Sequence, residues 1–208
     1  ARRIAHEIKN PLTPIQLSAE RLKRKYLKEI NSDPETFAAC TETIVRHVED
    51  IGRMVSEFSS FARMPDPRLK TENIKEICQQ AVFFESTRHP KIEFTNNLPE
   101  ADMQLRCDSR QLGQALVNLL KNAAESVTER QAPAGDTLPP GQIGLSLNET
   151  DGEGGKNVTI TVEDNGKGLP EELRGRLDEP YVTTRTGGTG LGLAIVKKIM
   201  EDHNGDLI

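Results

Sequence analysis

From Phe37 onward the apolar and small positions Phe37, Thr41, Ile44, Val48, Ile51, Val55, Phe58 and Ala62 recur at alternating spacings of four and three. That is a heptad seam, narrower than an ordinary amphipathic face, and it predicts a long helix that wants helical partners. Asp33 is placed to cap it and Pro34 to occupy its first helical position. Upstream, Ile4, Ile8, Ile15, Leu22 and Tyr26 mark a weaker stripe on a helix running to about Ile30, with Pro11 and Pro14 expected to break it near its beginning. The short Asn31-Ser32-Asp33 turn makes the two helices an antiparallel hairpin. One hairpin cannot bury this seam fully. Dimerisation into a four-helix bundle is the economical solution, with packing onto the rest of its own chain as the alternative.

Pro65-Asp66-Pro67 ends the second helix, and the pattern changes there. The expected domains are a helical one over 1–64, a linker at 65–68 and a mixed one over 69–208. The second domain reads as a helix near 73–86, strands at 91–96 and 103–106, and a helix capped by Asp108 that carries the stretch 111–126. Residues 131–141, rich in Pro, Gly and Ala, read as a flexible excursion. Strands at 142–148 and 157–163 flank Asp151-Gly-Glu-Gly-Gly155, a hairpin signal, and a last helix runs from Leu191 to about His203 before the Asn204-Gly205 stop. The fold class is therefore α+β: a helical hairpin, then an α/β sandwich of largely antiparallel strands covered by three helices on one side. The first residues open inside a helical pattern without a cap and the last stop at the start of an apolar run, so both ends read as cut from a longer chain.

The densest chemical signal is a pair of asparagines one helical turn apart, Asn118 and Asn122. Leu112, Leu116, Leu119, Leu120 and Ala123 make the same stretch amphipathic, so amides at i and i+4 point into one site. Asparagine is a mediocre helix former, and two in mid-helix need either solvent or a ligand. Two glycine clusters favour the ligand. In Asp164-Asn165-Gly166-Lys167-Gly168 a carboxylate at a strand end stands beside backbone that a flat ligand can approach closely, which suits a purine amino group; an ordinary turn is the plainer explanation. In 187–193 (GGTGLGL) glycines lead straight into a helix N-terminus, whose unpaired N–H groups and dipole hold a polyphosphate. It is neither GxxxxGK[ST] nor the GxGxxG of a dinucleotide fold. Between the clusters, 169–186 reads as a lid over a nucleotide or a plain surface loop.

Composition narrows the field. The 208 residues carry a net charge of −5, which does not suggest a nucleic-acid partner. Cys40, Cys78 and Cys107 are odd in number and lack CxxC spacing, so they read as core thiols in a reducing compartment. No run of about eighteen apolar residues exists to span a membrane.

Taken together, 118–123 (NLLKNA), 164–168 (DNGKG), 179–185 (EPYVTTR) and 188–193 (GTGLGL) resemble the N, G1, F and G2 boxes of sensor histidine kinases, in family order, and 6–12 (HEIKNPL) resembles their H box. The resemblance covers the whole chain, and the region 1–26 with the loop after the N box is most similar to the NtrY type of nitrogen-related kinases. It implies a homodimeric phosphoacceptor hairpin followed by an ATP-binding domain of the Bergerat or GHKL type, with a lid at about 169–190 and a final strand mostly missing after Gly205. It implies His6 as phosphoacceptor, Glu7 as the carboxylate orienting its imidazole, and Asn10 as the residue positioning water for dephosphorylating a partner. Asn122 would hold magnesium and Asn118 the ion or adjacent phosphates, while Asp164 accepts from the adenine amino group beside Gly166 and Gly168. Tyr181, Thr184 and Arg185 of the F box, with Gly188, Thr189, Gly190, Leu191 and Gly192, complete the ATP site. Relatives that hydrolyse ATP carry a glutamate in place of Asn118, and an amide cannot serve as that base. The implied partner is a response-regulator receiver domain, NtrX-like for this subtype. The implied setting is the cytoplasmic part of an inner-membrane sensor anchored upstream, with no membrane contact in this chain. Leu177 and Tyr181 replace usual phenylalanines and Glu125 stands where many members have lysine, so a catalytically weak, nucleotide-binding dimeric scaffold is the alternative. Lys167 or Arg185 are the cations placed to compensate. His47, His89 and His203 have no comparable context and receive no role.

Overall fold

The computed structural model describes residues 2–62, 64–132, 137–152, 155–169, 171, 179, 182 and 188–208. The chain divides into two compact units, one of residues 1–65 with 183–191 and one of 66–182 with 192–208.

In the first unit, α1 (Arg2–Tyr26) and α2 (Pro34–Phe61) pair as a hairpin. Asp33 caps α2 as expected, its carboxylate accepting from the Thr36 N–H at 3.0 Å. Lys23 meets Glu42 at 2.5 Å and Gln16 meets Glu49 at 3.3 Å, so the helices run antiparallel in a register that advances seven residues on each. The α2 seam splits in two. Thr41 and Val48 are buried and Val55 half-buried, whereas Ile44, Ile51 and Phe58 stay about two-fifths exposed. On α1, Ile8, Ile15 and Leu22 form a second open line at heptad spacing.

Two expectations change here. α1 is one uninterrupted helix through Pro11 and Pro14, ending at Tyr26 and not Ile30. A proline deletes one ladder bond, but its fixed φ is itself helical, and α1 exposes that stretch to water. Cys40 is exposed, because it falls between the seam positions; only Cys78 and Cys107 are core thiols. Burial pushes Cys78 up to about 12, and burial with the charges of Glu72 and Asp108 pushes Cys107 up to about 11, which keeps both unreactive.

In the second unit, β1 (Lys70–Asn73) pairs antiparallel with β3 (Gln104–Cys107), and β4 (Gly141–Gly152) lies between β2 (Ile92–Asn97) and β5 (Gly155–Asp164). β4–β5 is the expected antiparallel hairpin, longer than its apolar pattern, while β2–β4 is parallel. A parallel pair needs a crossover, and α4 (Ser109–Thr128) supplies it. β1 carries no signal of its own in the sequence, since Lys70-Thr-Glu-Asn73 shows no apolar alternation; β3 defines it by pairing. α3 (Ile74–Arg88) and α4 pack together over the sheet. The core between them gathers Ile74, Cys78, Leu116, Leu120, Ala124, Ile143 and Leu145.

α5 (Gly192–Asp202) packs on α4 and stops as its sequence predicts. Asn204 takes φ 56, Gly205 N–H returns to Met200 O at 2.8 Å and Asn204 N–H to Glu201 O at 3.1 Å, a Schellman ending. Asp108 anchors the other helix. Its carboxylate accepts from the N–H groups of Arg110 and Gln111, each at 3.1 Å, and of Arg68 at 2.9 Å. Burial alone would raise its pKa; the bonds from Arg68, Gln111 and Arg110 and the charge of Arg110 outweigh that and leave it below the ordinary value.

A depressed carboxylate pKa stabilises the fold above the unfolded value of about 4 and loses that contribution as pH falls through the native value. Asp108→Ala should cost about 1–2 kcal/mol at pH 7 in urea titrations. The gap to wild type should close towards pH 3, and a gap independent of pH would contradict the capping role.

Candidate functional site

α4 turns one face to the core and a narrower one outward. Leu112, Ala115, Leu116, Leu120, Ala123, Ala124 and Val127 are buried; Asn118 and Asn122 are half-buried on the same helix. Asn118 Nδ2 is fully enclosed and has no hydrogen-bond partner among the described residues. An enclosed donor left unpaired costs about 1–3 kcal/mol, so this nitrogen is a candidate for an acceptor beyond the described residues. Asn122 lies against the start of α5: a Cβ on Gly192 would sit 3.7 Å from its Nδ2 and 4.0 Å from its Oδ1. These are ordinary contact distances, so they place Asn122 next to the N-terminus of α5 without requiring glycine there.

At its other end α5 returns to α4. His203 Nε2 accepts the Asp108 N–H at 2.9 Å, and Nδ1 lies 2.7 Å from Ile199 O, a pair of contacts that orients the ring. The two helices are therefore antiparallel, with Gly192 beside Asn122 and His203 at the Asp108 cap.

The turn after β5 presses on the C-terminal part of α4. Asp164 Oδ1 accepts the Gly166 N–H at 2.9 Å, and the Lys167 N–H reaches Ser126 O at 3.2 Å. A Cβ on Gly166 would stand 2.0 Å from Ser126 Oγ and 2.7 Å from its carbonyl carbon, so this glycine is required by close approach. Gly168 adopts φ 73. The Asp164 carboxylate is exposed at the edge of this turn. Lys167 pairs with Glu129, and Lys121 lies 3.9 Å from Glu125 on the next turn of α4.

In the first unit, His6, Glu7 and Asn10 lie exposed near the start of α1. Thr189 accepts the Leu191 N–H at 3.3 Å and donates its hydroxyl proton to Glu57, while Gly190 takes φ 66 and Leu191 is buried. Gly188 is half-buried. Tyr181, Thr184, Arg185 and Leu177 lie outside the described residues, as does most of the expected lid.

The pattern is a shared one. The family described as "Histidine kinase-, DNA gyrase B-, and HSP90-like ATPase" matches residues 107–208, and the "His Kinase A (phospho-acceptor) domain" matches 1–67. The nitrogen regulation protein NtrY of Azorhizobium caulinodans is 55% identical over 207 residues, covering 100% of this chain and 26% of that protein. The chain is a histidine kinase core of the NtrY type. A putative sensor histidine kinase, NtrY-like, of Rickettsia prowazekii is 39% identical over 207 residues, covering 100% of this chain and 32% of the relative. The core thus spans about a quarter to a third of the length of these two relatives. Among solved structures, histidine kinase ThkA in complex with response regulator protein TrrA is similar with TM-score 0.63 and 27% identity, over 98% of this chain and 54% of that one. The second unit of the kinase core is an ATP-binding domain.

Sequence reasoning brought the amide pair, Asp164 and the glycines forward and passed over three of their supports. His203 was signalled only by its place in the last turn before Asn204-Gly205. Ser126 and Arg130 follow the amide pair and carry no motif of their own.

Gly166→Ala should weaken ADP binding by tenfold or more (about 1.4 kcal/mol) in a fluorescence titration, with the far-UV spectrum unchanged. Undiminished binding would show that the turn need not approach Ser126.

Proposed function

We propose that this chain carries out Mg-ATP-dependent phosphorylation of His6 and passes the phosphoryl group to an aspartate on a response-regulator receiver domain, with Asn10 supporting phosphatase activity toward that regulator. The domains are 1–64 for dimerisation and phosphotransfer, 65–68 as linker and 69–208 for ATP binding, with the lid at about 169–190. The observation that carries this reading is the enclosed, unpartnered Asn118 amide on the helix whose next turn sets Asn122 against Gly192. An orphan donor suits a phosphate oxygen. An amide oxygen suits magnesium, so Asn122 would hold the ion and Asn118 the ion or adjacent phosphates.

Phosphoryl transfer asks the protein for alignment and charge neutralisation more than for covalent help. Bound magnesium supplies much of that neutralisation. Asp164 accepts from the adenine amino group, and the N–H groups around Gly188, Thr189, Gly190, Leu191 and Gly192 hold phosphate oxygens. The family resemblance assigns Tyr181, Thr184 and Arg185 of the F box to the same ATP site. A neutral His6 imidazole attacks the γ-phosphorus with its free ring nitrogen while Glu7 holds the other N–H; the bond to the bridging oxygen breaks and ADP leaves with the electron pair. The core belongs to the cytoplasmic side of a sensor anchored in the inner membrane upstream, and its regulator is NtrX-like.

The open lines Ile8, Ile15, Leu22 and Ile44, Ile51, Phe58 support a homodimer, since two hairpins bury them together as a four-helix bundle. A dimeric scaffold that binds nucleotide with little catalysis is the second reading; Glu125 favours it, because a carboxylate stands where a phosphate-holding lysine is usual.

With γ-labelled ATP, wild type should gain acid-labile, alkali-stable phosphate, and His6→Gln should gain none; Asn122→Ala should lose labelling together with magnesium-dependent affinity. Nucleotide binding without labelling would establish the scaffold instead. Ile44→Asp with Ile51→Asp should give a monomer by light scattering with the helical content kept, and an unaltered dimer would refute the seam.

A further inference from the structure

Arg130 lies just past α4, after Glu129, in no motif of the family. Its guanidinium nevertheless joins three segments: Nε donates to Val127 O at 3.0 Å, Nη1 to Asn165 O at 3.3 Å and Nη2 to Pro139 O at 3.2 Å. The first bond is ordinary for a cation at a helix C-terminus. The other two are not local, since they reach the turn after β5 and the segment entering β4. Only arginine offers donors in a planar fork wide enough for three separate carbonyls.

Space for this fork is built in. A Cβ on Gly141 would lie 2.5 Å from Val127 Cγ1 and 3.3 Å from Arg130 Nη2. Asn165 closes the same knot from the other side: Oδ1 accepts from Gln142 N–H at 2.8 Å, Nδ2 donates to Pro140 O at 2.9 Å, and its own N–H reaches Gln142 O at 3.2 Å. The carbonyl that Arg130 holds therefore belongs to the residue directly after Asp164.

We propose that Arg130 is a positioning residue for purine recognition: by holding the Asn165 carbonyl to the end of α4, it fixes the direction of the Asp164 carboxylate relative to the amide pair. This rests on the nucleotide reading above. A carboxylate held in place accepts from the amino group of adenine and opposes the carbonyl that guanine presents there, so the orientation set by Arg130 appears as selectivity between purines.

The test is the ratio of Mg-ADP to Mg-GDP affinity by titration calorimetry on the whole chain. Partial unfolding lowers both affinities equally and leaves the ratio fixed, whereas a misdirected Asp164 changes it. Arg130→Ala should reduce the wild-type preference for ADP by about tenfold, with Arg130→Lys between the two; in an Asp164→Asn background Arg130→Ala should change the ratio no further. Should Arg130→Ala not fold, Arg130→Lys and Arg130→Gln carry the comparison. An unchanged ratio in the folded variants, or an equal drop with and without Asp164, overturns the proposal. A wild type that binds neither nucleotide strikes the nucleotide reading instead.

Discussion

The ATP-binding unit depends on α4 being pinned at both ends. At its start the Asp108 carboxylate takes two helix N–H groups and the Arg68 N–H, while the Asp108 N–H itself goes to His203. At its end Ser126 and Val127 give their carbonyls to Lys167 and Arg130. These are bonds to backbone groups at the helix ends, where the ladder leaves donors and acceptors unpaired, so each satisfies an orphan group and fixes a neighbour. Between the pins the apolar face is buried, and each enclosed leucine contributes about 1.5–3 kcal/mol. Sliding α4 by one residue would turn Asn122 away from Gly192 and expose part of that face, so stability and the placement of the amide are one constraint.

The hairpin divides its apolar surface differently. Thr41 and Val48 are spent inside one hairpin, and the alternate heptad positions Ile44, Ile51 and Phe58 are left open beside Ile8, Ile15 and Leu22. This is how a helix pair with few aromatic residues serves two packings: one set of layers holds it together, the other awaits a bundle partner. The polar ties Lys23–Glu42 and Gln16–Glu49 lie at exposed positions, where such contacts fix register more than they add stability.

Much of this was legible because local rules and global fold agree. Asp33 and Asp108 cap, Asn204-Gly205 stops, and the heptad and asparagine spacings fall on the faces their periods predict. What escaped notice was set by tertiary contact. β1 is a strand only because β3 pairs with it, and the parallel β2–β4 ladder follows from a crossover that no window of sequence displays. α1 keeps its helix through two prolines, since an exposed helix tolerates a lost bond where geometry remains helical. Arg130 and His203 matter through partners 35 and 95 positions away, beyond any local pattern.

The amide at position 118 decides which nucleophile the proposed site serves. Water needs a base to become a competent nucleophile, and an amide has no basic lone pair to give it. On the same helix the nearest following carboxylate, Glu125, lies two turns on beside Lys121, not in the place of Asn118. An imidazole needs no such base, because its neutral form already carries a free lone pair. A site built on two amides is therefore suited to hold a triphosphate without activating water, which is what the proposed transfer to the exposed His6 requires.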